Sequence, residues 1–103
     1  MPYSIWKFTL KEANEQQIEM PKGARVLSTE EQYGKIVLYA LVDTLAEKET
    51  RTIWTFVTGH QILTGHRVLD QAAGARFVGT VKMEGGLWMF HIFCDSSDSK
   101  EVV

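Results

Sequence analysis

His60, His66, His91 and Cys94 are the soft metal ligands of this 103-residue chain. Their spacing reads His-x5-His and His-x2-Cys, whereas a structural zinc site draws four ligands into a tetrahedron, usually from two closely spaced pairs. On a strand, an offset of three puts His91 and Cys94 on opposite faces. The chain is therefore expected to fold with no metal and no cofactor. The plainer roles are that His60 and His66 hydrogen-bond the loop backbone and that His91 pairs across a sheet.

Nucleophilic chemistry is the next candidate, since Cys94 lies close to His91 and beside Asp95, and a Cys-His-acid set works when the His takes the thiol proton and the acid orients the ring. No local signature of such enzymes surrounds it, and a lone Cys is commonly an inert core residue. Thr58-Gly59-His60 is echoed by Thr64-Gly65-His66, which distantly resembles the paired His/Thr elements that some phosphoesterases use with both rings facing one phosphate. A chance echo is the simpler reading. Glu84-Gly85-Gly86 and the glycines from Gly74 to Gly79 lack the Gly-Lys-Ser/Thr ending of a phosphate loop and the helix that follows it. No catalytic residue is assigned, and the balance is against an enzyme. A small hydrolase or metal-binding protein using His60, His66 and His91 stays as the alternative.

The elements that must position these residues are strands. Ile36 to Asp43 is apolar at almost every position and reads as a strand buried on both faces, with Ile36 to Val42 at the centre of a sheet. Tyr33-Gly34-Lys35 joins it to the strand Ala24 to Tyr33 as an antiparallel hairpin, although Glu30 and Glu31 would also suit a helical turn. Trp6, Phe8 and Leu10 alternate with Lys7, Thr9 and Lys11 in a half-buried first strand. Gln16 to Met20 is a short exposed piece ended by Pro21. Leu45 to Thr50 reads as a charged loop or a single helical turn, and Thr52 to Thr58 as a strand. Gly59 to Ala73 is irregular, with a short helix from Arg67 to Ala73 stopped by Gly74. Ala75 to Met83 and Leu87 to Phe93 form a hairpin around Glu84-Gly85-Gly86.

This pattern predicts a mainly β fold, a small antiparallel β-sandwich or open barrel of about six or seven strands, with at most one short helix near 66–73. A sheet with one short helix across it is the alternative. Residues 1–94 are expected to form one compact domain and 95–103 a disordered polar tail. Trp6 and Phe8, Trp54 and Phe56, and Trp88 and Phe90 each share a strand face, which predicts an aromatic core between two layers. An exposed stacking face is the functional alternative.

Composition narrows the function classes. Hydrophobic residues at 45% and charged residues at 23% are those of an ordinary globular chain, and the formal charge of -2 disfavours nucleic acid, although Lys7, Lys11, Lys22 and Arg25 would suit a local patch. A single cysteine gives no disulfide framework. With no leader pattern and no run near the roughly 20 apolar residues of a membrane span, the cytoplasm is the expected location.

Ile5-Trp6-Lys7-Phe8, the block Ile18-Glu19-Met20-Pro21-Lys22-Gly23-Ala24, then Leu41-Val42-Asp43, Thr58-Gly59-His60, Phe77 to Val81 and His91-Ile92-Phe93 together resemble a family of small uncharacterised proteins encoded by tailed bacteriophages. The resemblance spans Ile5 to Phe93 and implies origin and size, with no catalytic residues to transfer. It implies an accessory protein of an infected bacterial host's cytoplasm that acts by binding, inhibiting or sequestering a host protein or a small nucleotide ligand. A minor virion or assembly component is a further alternative.

The partner-binding surface is expected on the loop Gly59 to Gly74, through His60, His66, Arg67 and Asp70, while Ile62, Leu63, Val68 and Leu69 pin the loop to the body. Glu12 to Gly23 is the alternative site. An open sheet also leaves edges, so a homodimer through an edge strand is expected.

Overall fold

The structure, a computed structural model, describes residues 2–70 and 74–95. Its strands are β1 (Tyr3–Thr9), β2 (Glu15–Pro21), β3 (Arg25–Gln32), β4 (Lys35–Asp43), β5 (Lys48–Val57), β6 (Ala75–Met83) and β7 (Trp88–Asp95). They form two antiparallel sheets, one of order β1-β4-β3 and one of order β2-β5-β7-β6, neither closed into a barrel. The strand predicted to be central, β4, is the middle of its sheet. Leu38, Ala40 and Val42 point inward from it and meet Met20, Ile53, Val81, Ile92 and Cys94 of the other sheet, so the core lies between two layers.

Local chemistry explains the joints. Tyr33 (φ 52°) and Gly34 (φ 80°) are both left-handed, which gives the two-residue β3–β4 turn the twist of its flanking strands. Glu30 and Glu31 pair with Val37 and Ile36, so the ladder overrides their helical tendency. β5 starts at Lys48, earlier than the sequence pattern indicates, because Lys48 and Glu49 pair with Pro21 and Met20. The charged loop therefore shrinks to a turn. Only a 3₁₀ turn, Arg67–Leu69, stands where the short helix was expected, and residues 71–73 of that expectation lie outside the described residues. Asp95, assigned from the sequence to the polar tail, is buried as the last residue of β7, and the rest of that tail lies outside the described residues.

The two sheets close along one flank and stay open along the other. Register shifts at Leu27 in β3 and Val78 in β6 bring these edges together, and the Arg76 guanidinium donates to the Val26 carbonyl at 2.7 Å. Gly79 permits this approach, since a Cβ there would stand 3.0 Å from the Thr29 methyl group. On the opposite flank, β1 and β2 are the outer strands of their sheets.

Candidate functional site

Alternation along β5 and β7 turns Ile53, Ile92 and Cys94 toward the core and Trp54, Phe56, His91 and Phe93 to the other face. The six aromatic rings expected in one core are thus divided. Trp6, Phe8 and Phe90 pack against the core and Trp88 is 45% exposed, whereas Trp54 and Phe56 are buried on the outer face of the four-stranded sheet. What buries them is the segment after β5, which folds back over this face.

The Thr-Gly-His echo makes two turns of the same kind. The His60 N–H donates to the Val57 carbonyl at 3.0 Å and the His66 N–H to the Leu63 carbonyl at 3.1 Å, with Gly59 and Gly65 each at φ 94° in the third position. A turn with positive φ there calls for glycine, so the repeat is backbone chemistry. His66 Nδ1 then accepts the Val68 N–H at 3.1 Å and caps the 3₁₀ turn. Its ring stands edge-on to Trp54 and Phe56, with centroids at 5.7 and 5.4 Å. The His60 ring lies 5.4 Å from Phe56, and the Arg67 guanidinium lies 5.0 Å from the Trp54 centroid.

The anchoring expected of the four apolar side chains holds in part, since Ile62 and Val68 are half-buried. His60, His66 and Arg67 hold the loop to the sheet through ring faces and edges, while Leu63 and Leu69 are 75% and 53% exposed. Asp70 closes the 3₁₀ turn through its N–H to the Arg67 carbonyl at 3.0 Å, and its own carbonyl accepts the Gly74 N–H at 2.8 Å. A Cβ at Gly74 would run into the Arg67 and Asp70 carbonyl oxygens, so the exit of the loop requires glycine. Beneath the loop a groove of about 220 Å³ runs between Glu15, Trp54, Phe56, Ile62 and His66.

The other candidates separate. His91 faces outward between two hydroxyls, with Thr58 Oγ1 at 2.7 Å from Nε2 and Thr80 Oγ1 at 3.0 Å from Nδ1. A neutral ring donates from one nitrogen and accepts at the other, so one threonine hydroxyl accepts a hydrogen bond and the other donates one. Cys94 faces the core, where the Arg51 guanidinium lies 3.4 Å from Sγ. Burial pushes its thiol up to about 11, a direction that Asp95 reinforces and Arg51 only partly offsets. A thiol held protonated, on the opposite face from His91, does not form the Cys-His-acid arrangement. Among the described residues no group of three His, Cys, Asp or Glu side chains is placed to hold a metal ion.

Around Cys94 lies a buried polar network that sequence reading missed. Arg51, 2% exposed, donates Nε to Asp95 Oδ1 at 2.8 Å, one terminal nitrogen to the Ala24 carbonyl at 2.7 Å and the other to the Asp95 carbonyl at 2.9 Å. Asp95 Oδ2 accepts the Thr52 N–H at 3.0 Å, and Glu49 stands 3.8 Å from the guanidinium. Burial disfavours the charged form of Arg51, but Cys94, Asp95 and Glu49 together outweigh it and leave its pKa raised. The available signal was the flanking of a β-rich stretch by Arg51 and of a strand end by Asp95, which pattern reading assigns to solvent.

A second cavity, of about 580 Å³, opens at one end of the sandwich between Leu10, Asn14, Lys35, Met83, Trp88 and Phe90. It takes Glu12 to Asn14 from the segment named as the alternative site. No helix among the described residues is long and apolar enough to cross a membrane. No curated protein and no solved structure matches the chain. The sequence does match a family along nearly its whole length, residues 1–102, and the chain belongs to that family, the domain of unknown function DUF7352.

Proposed function

We propose that this DUF7352 protein acts by binding another protein through the loop-covered outer face of the four-stranded sheet, and that it inhibits or sequesters a host factor as a phage-type accessory protein. The observation that carries the reading is the arch of His60, His66 and Arg67 on Trp54 and Phe56, with Leu63 and Leu69 of the same segment and Phe77 of β6 exposed. Exposed apolar side chains beside an exposed Arg67 are the composition of a protein-binding surface. A groove of about 220 Å³ falls below the roughly 300–1,000 Å³ of small-molecule pockets and suits a single side chain of a protein partner. The resemblance carried by Ile18 to Ala24 supports the phage setting.

A second reading has its own observation. The cavity of about 580 Å³ is large enough for a small ligand, which favours the sequestration of a nucleotide-sized molecule there. The hydrolase alternative is weakened because His60 and His66 are spent on Phe56 and on the turn cap, and His91 on Thr58 and Thr80.

The test is capture from a bacterial host lysate with the wild type and with a Leu63→Asp/Leu69→Asp variant, whose melting temperatures should agree because both leucines are exposed. One host protein held by the wild type and lost by the variant is the expected result. Equal recovery by both moves the interface off this face. A small molecule released on denaturing the wild type, with no protein captured, favours the cavity.

A further inference from the structure

We infer that β1 is the self-association edge of this protein, and that two copies join β1 to β1 antiparallel about a two-fold axis at Trp6. The inference starts from which backbone groups of β1 are already used. The Pro2 carbonyl accepts the Thr44 N–H at 3.0 Å and the Leu10 N–H donates to the Ile36 carbonyl at 2.9 Å, so residues 2 and 10 are hydrogen-bonded partners of β4. Such pairs recur at every second residue of an antiparallel ladder. Ser4, Trp6 and Phe8 therefore also bond to β4, and the N–H and C=O groups of Tyr3, Ile5, Lys7 and Thr9 point away from the sheet. The same four residues carry exposed side chains.

The other outer strand is protected where β1 is not. In β2, Thr55 N–H to Asn14 carbonyl at 2.8 Å and Lys22 N–H to Glu47 carbonyl at 2.7 Å fix the even residues as bonded, which leaves Glu15, Gln17, Glu19 and Pro21 facing out. Two carboxylates and a proline without an N–H are gatekeepers against pairing. β6, the remaining outer strand of its sheet, is covered by β3 through Arg76 and the close approach at Gly79. On β1 only Lys7 is charged, beside Tyr3 at 60% and Ile5 at 59% exposure.

A second copy of β1 fits this edge in one register best. Centring the axis on Trp6 opposes Tyr3 to the partner's Thr9 and Ile5 to the partner's Lys7, and the same two pairs recur on the other side of the axis. All four outward residues are used, and at two bonds per pair the four pairs make eight backbone hydrogen bonds. Centring on Ile5 strands Thr9, and centring on Lys7 sets like charges directly opposite. In the Trp6 register each Lys7 instead lays its methylene stem against Ile5. The pairing is isologous and closes at two copies. An edge this short gives a reversible dimer, populated in the micromolar range and above, in the class of small interfaces.

Sedimentation velocity across low to high micromolar concentration tests it. Wild type should pass from monomer to dimer. Ile5→Lys, at a side chain exposed in the monomer, places like charges opposite at both Lys7 positions and should weaken the dimer by roughly two- to thirtyfold. Adding Lys7→Glu to Ile5→Lys converts both to opposite-charge pairs and should restore it, which a register centred on Ile5 would not allow. Lys7→Pro removes one outward N–H per copy, spares the bonds to β4, and should leave a folded monomer. A wild type that stays monomeric, assembly beyond two copies, a dimer indifferent to Ile5→Lys, or no rescue by the double variant would each overturn the inference.

Discussion

Asp95→Asn removes one negative charge from a site that is 6% exposed while keeping the size of the side chain. The carboxylate serves three donors at once, Arg51 Nε at 2.8 Å and the Cys94 thiol at 3.6 Å on one oxygen and Thr52 N–H at 3.0 Å on the other. Asn has one oxygen, so in either orientation its amide group meets a donor. One buried N–H loses its partner, and the guanidinium loses its nearest counter-charge. Breaking a buried ion pair from one side costs about 3–5 kcal/mol. Glu49 remains 3.8 Å from Arg51, and the Ala24 and Asp95 carbonyls still accept from it. We therefore expect the lower end, about 3 kcal/mol.

In a domain of this size about 1 kcal/mol moves the melting temperature by roughly 4–8 °C, so the variant should melt roughly 12–24 °C below wild type. The assay is urea unfolding at constant slope, repeated in high salt, which screens a buried pair very little. A cycle with Arg51→Met completes it. Each single change strands a buried partner and the double change strands fewer, so the losses should fall short of additive by at least ~2 kcal/mol. A loss below about 1 kcal/mol for Asp95→Asn, or an additive cycle, would refute the claim that this network holds the end of β7 to β5.

Two further outcomes follow from the same geometry. The folded Cys94 thiol keeps its proton up to about pH 11, against an ordinary value of 9.0, so above pH 9 the unfolded chain binds fewer protons than the folded one. Stability is thus fully present below pH 9 and falls with rising pH, by up to about 1.4 kcal/mol per unit. Unfolding of wild type and Cys94→Ala from pH 8 to 10.5 should show the wild-type curve descending more steeply, and parallel curves would contradict it. Replacing His60, His66 and Arg67 together by Ala should cost about 2–3 kcal/mol, from a lost cap, edge-on ring contacts and a cation–π contact. Thermal melting followed by circular dichroism checks this, and an unchanged melting temperature would mean that other residues hold the loop.

Strand existence was legible because period-two patterning and turn residues act locally. The continuous apolar run of β4 and the Tyr33-Gly34 turn each specify their structure within a few residues. What escaped depends on partners distant in sequence. Lys48 and Glu49 look like loop until Pro21 and Met20 pair with them. Arg51 and Asp95 look solvated until 44 residues of chain bring them together. A segment too long for a hairpin was legible as such, and its described residues cover the outer face of the four-stranded sheet. Its anchoring was legible only in part, because hydrophobicity scales rank Leu63 above His66, whereas the aromatic floor of Trp54 and Phe56 offers ring edges and faces that a histidine or arginine uses better.

The buried network and the proposed binding face meet on one strand. β5 sends Arg51 and Ile53 inward and Trp54 and Phe56 outward, and it is buried on both sides from Arg51 to Phe56. The Thr52 N–H bonded to Asp95 and the Thr55 N–H bonded to Asn14 fix the strand on either side of Trp54, whose indole nitrogen donates to Glu15 at 3.1 Å. A strand held at this many points gives the covering loop a fixed support, and preorganising a proposed binding surface in that way would raise affinity without adding contacts. Under the proposed function, the polar cluster inside the sandwich would therefore bear on recognition outside it. It fixes the strand on which the arch of His60, His66 and Arg67 rests, and the same segment carries the exposed Leu63 and Leu69.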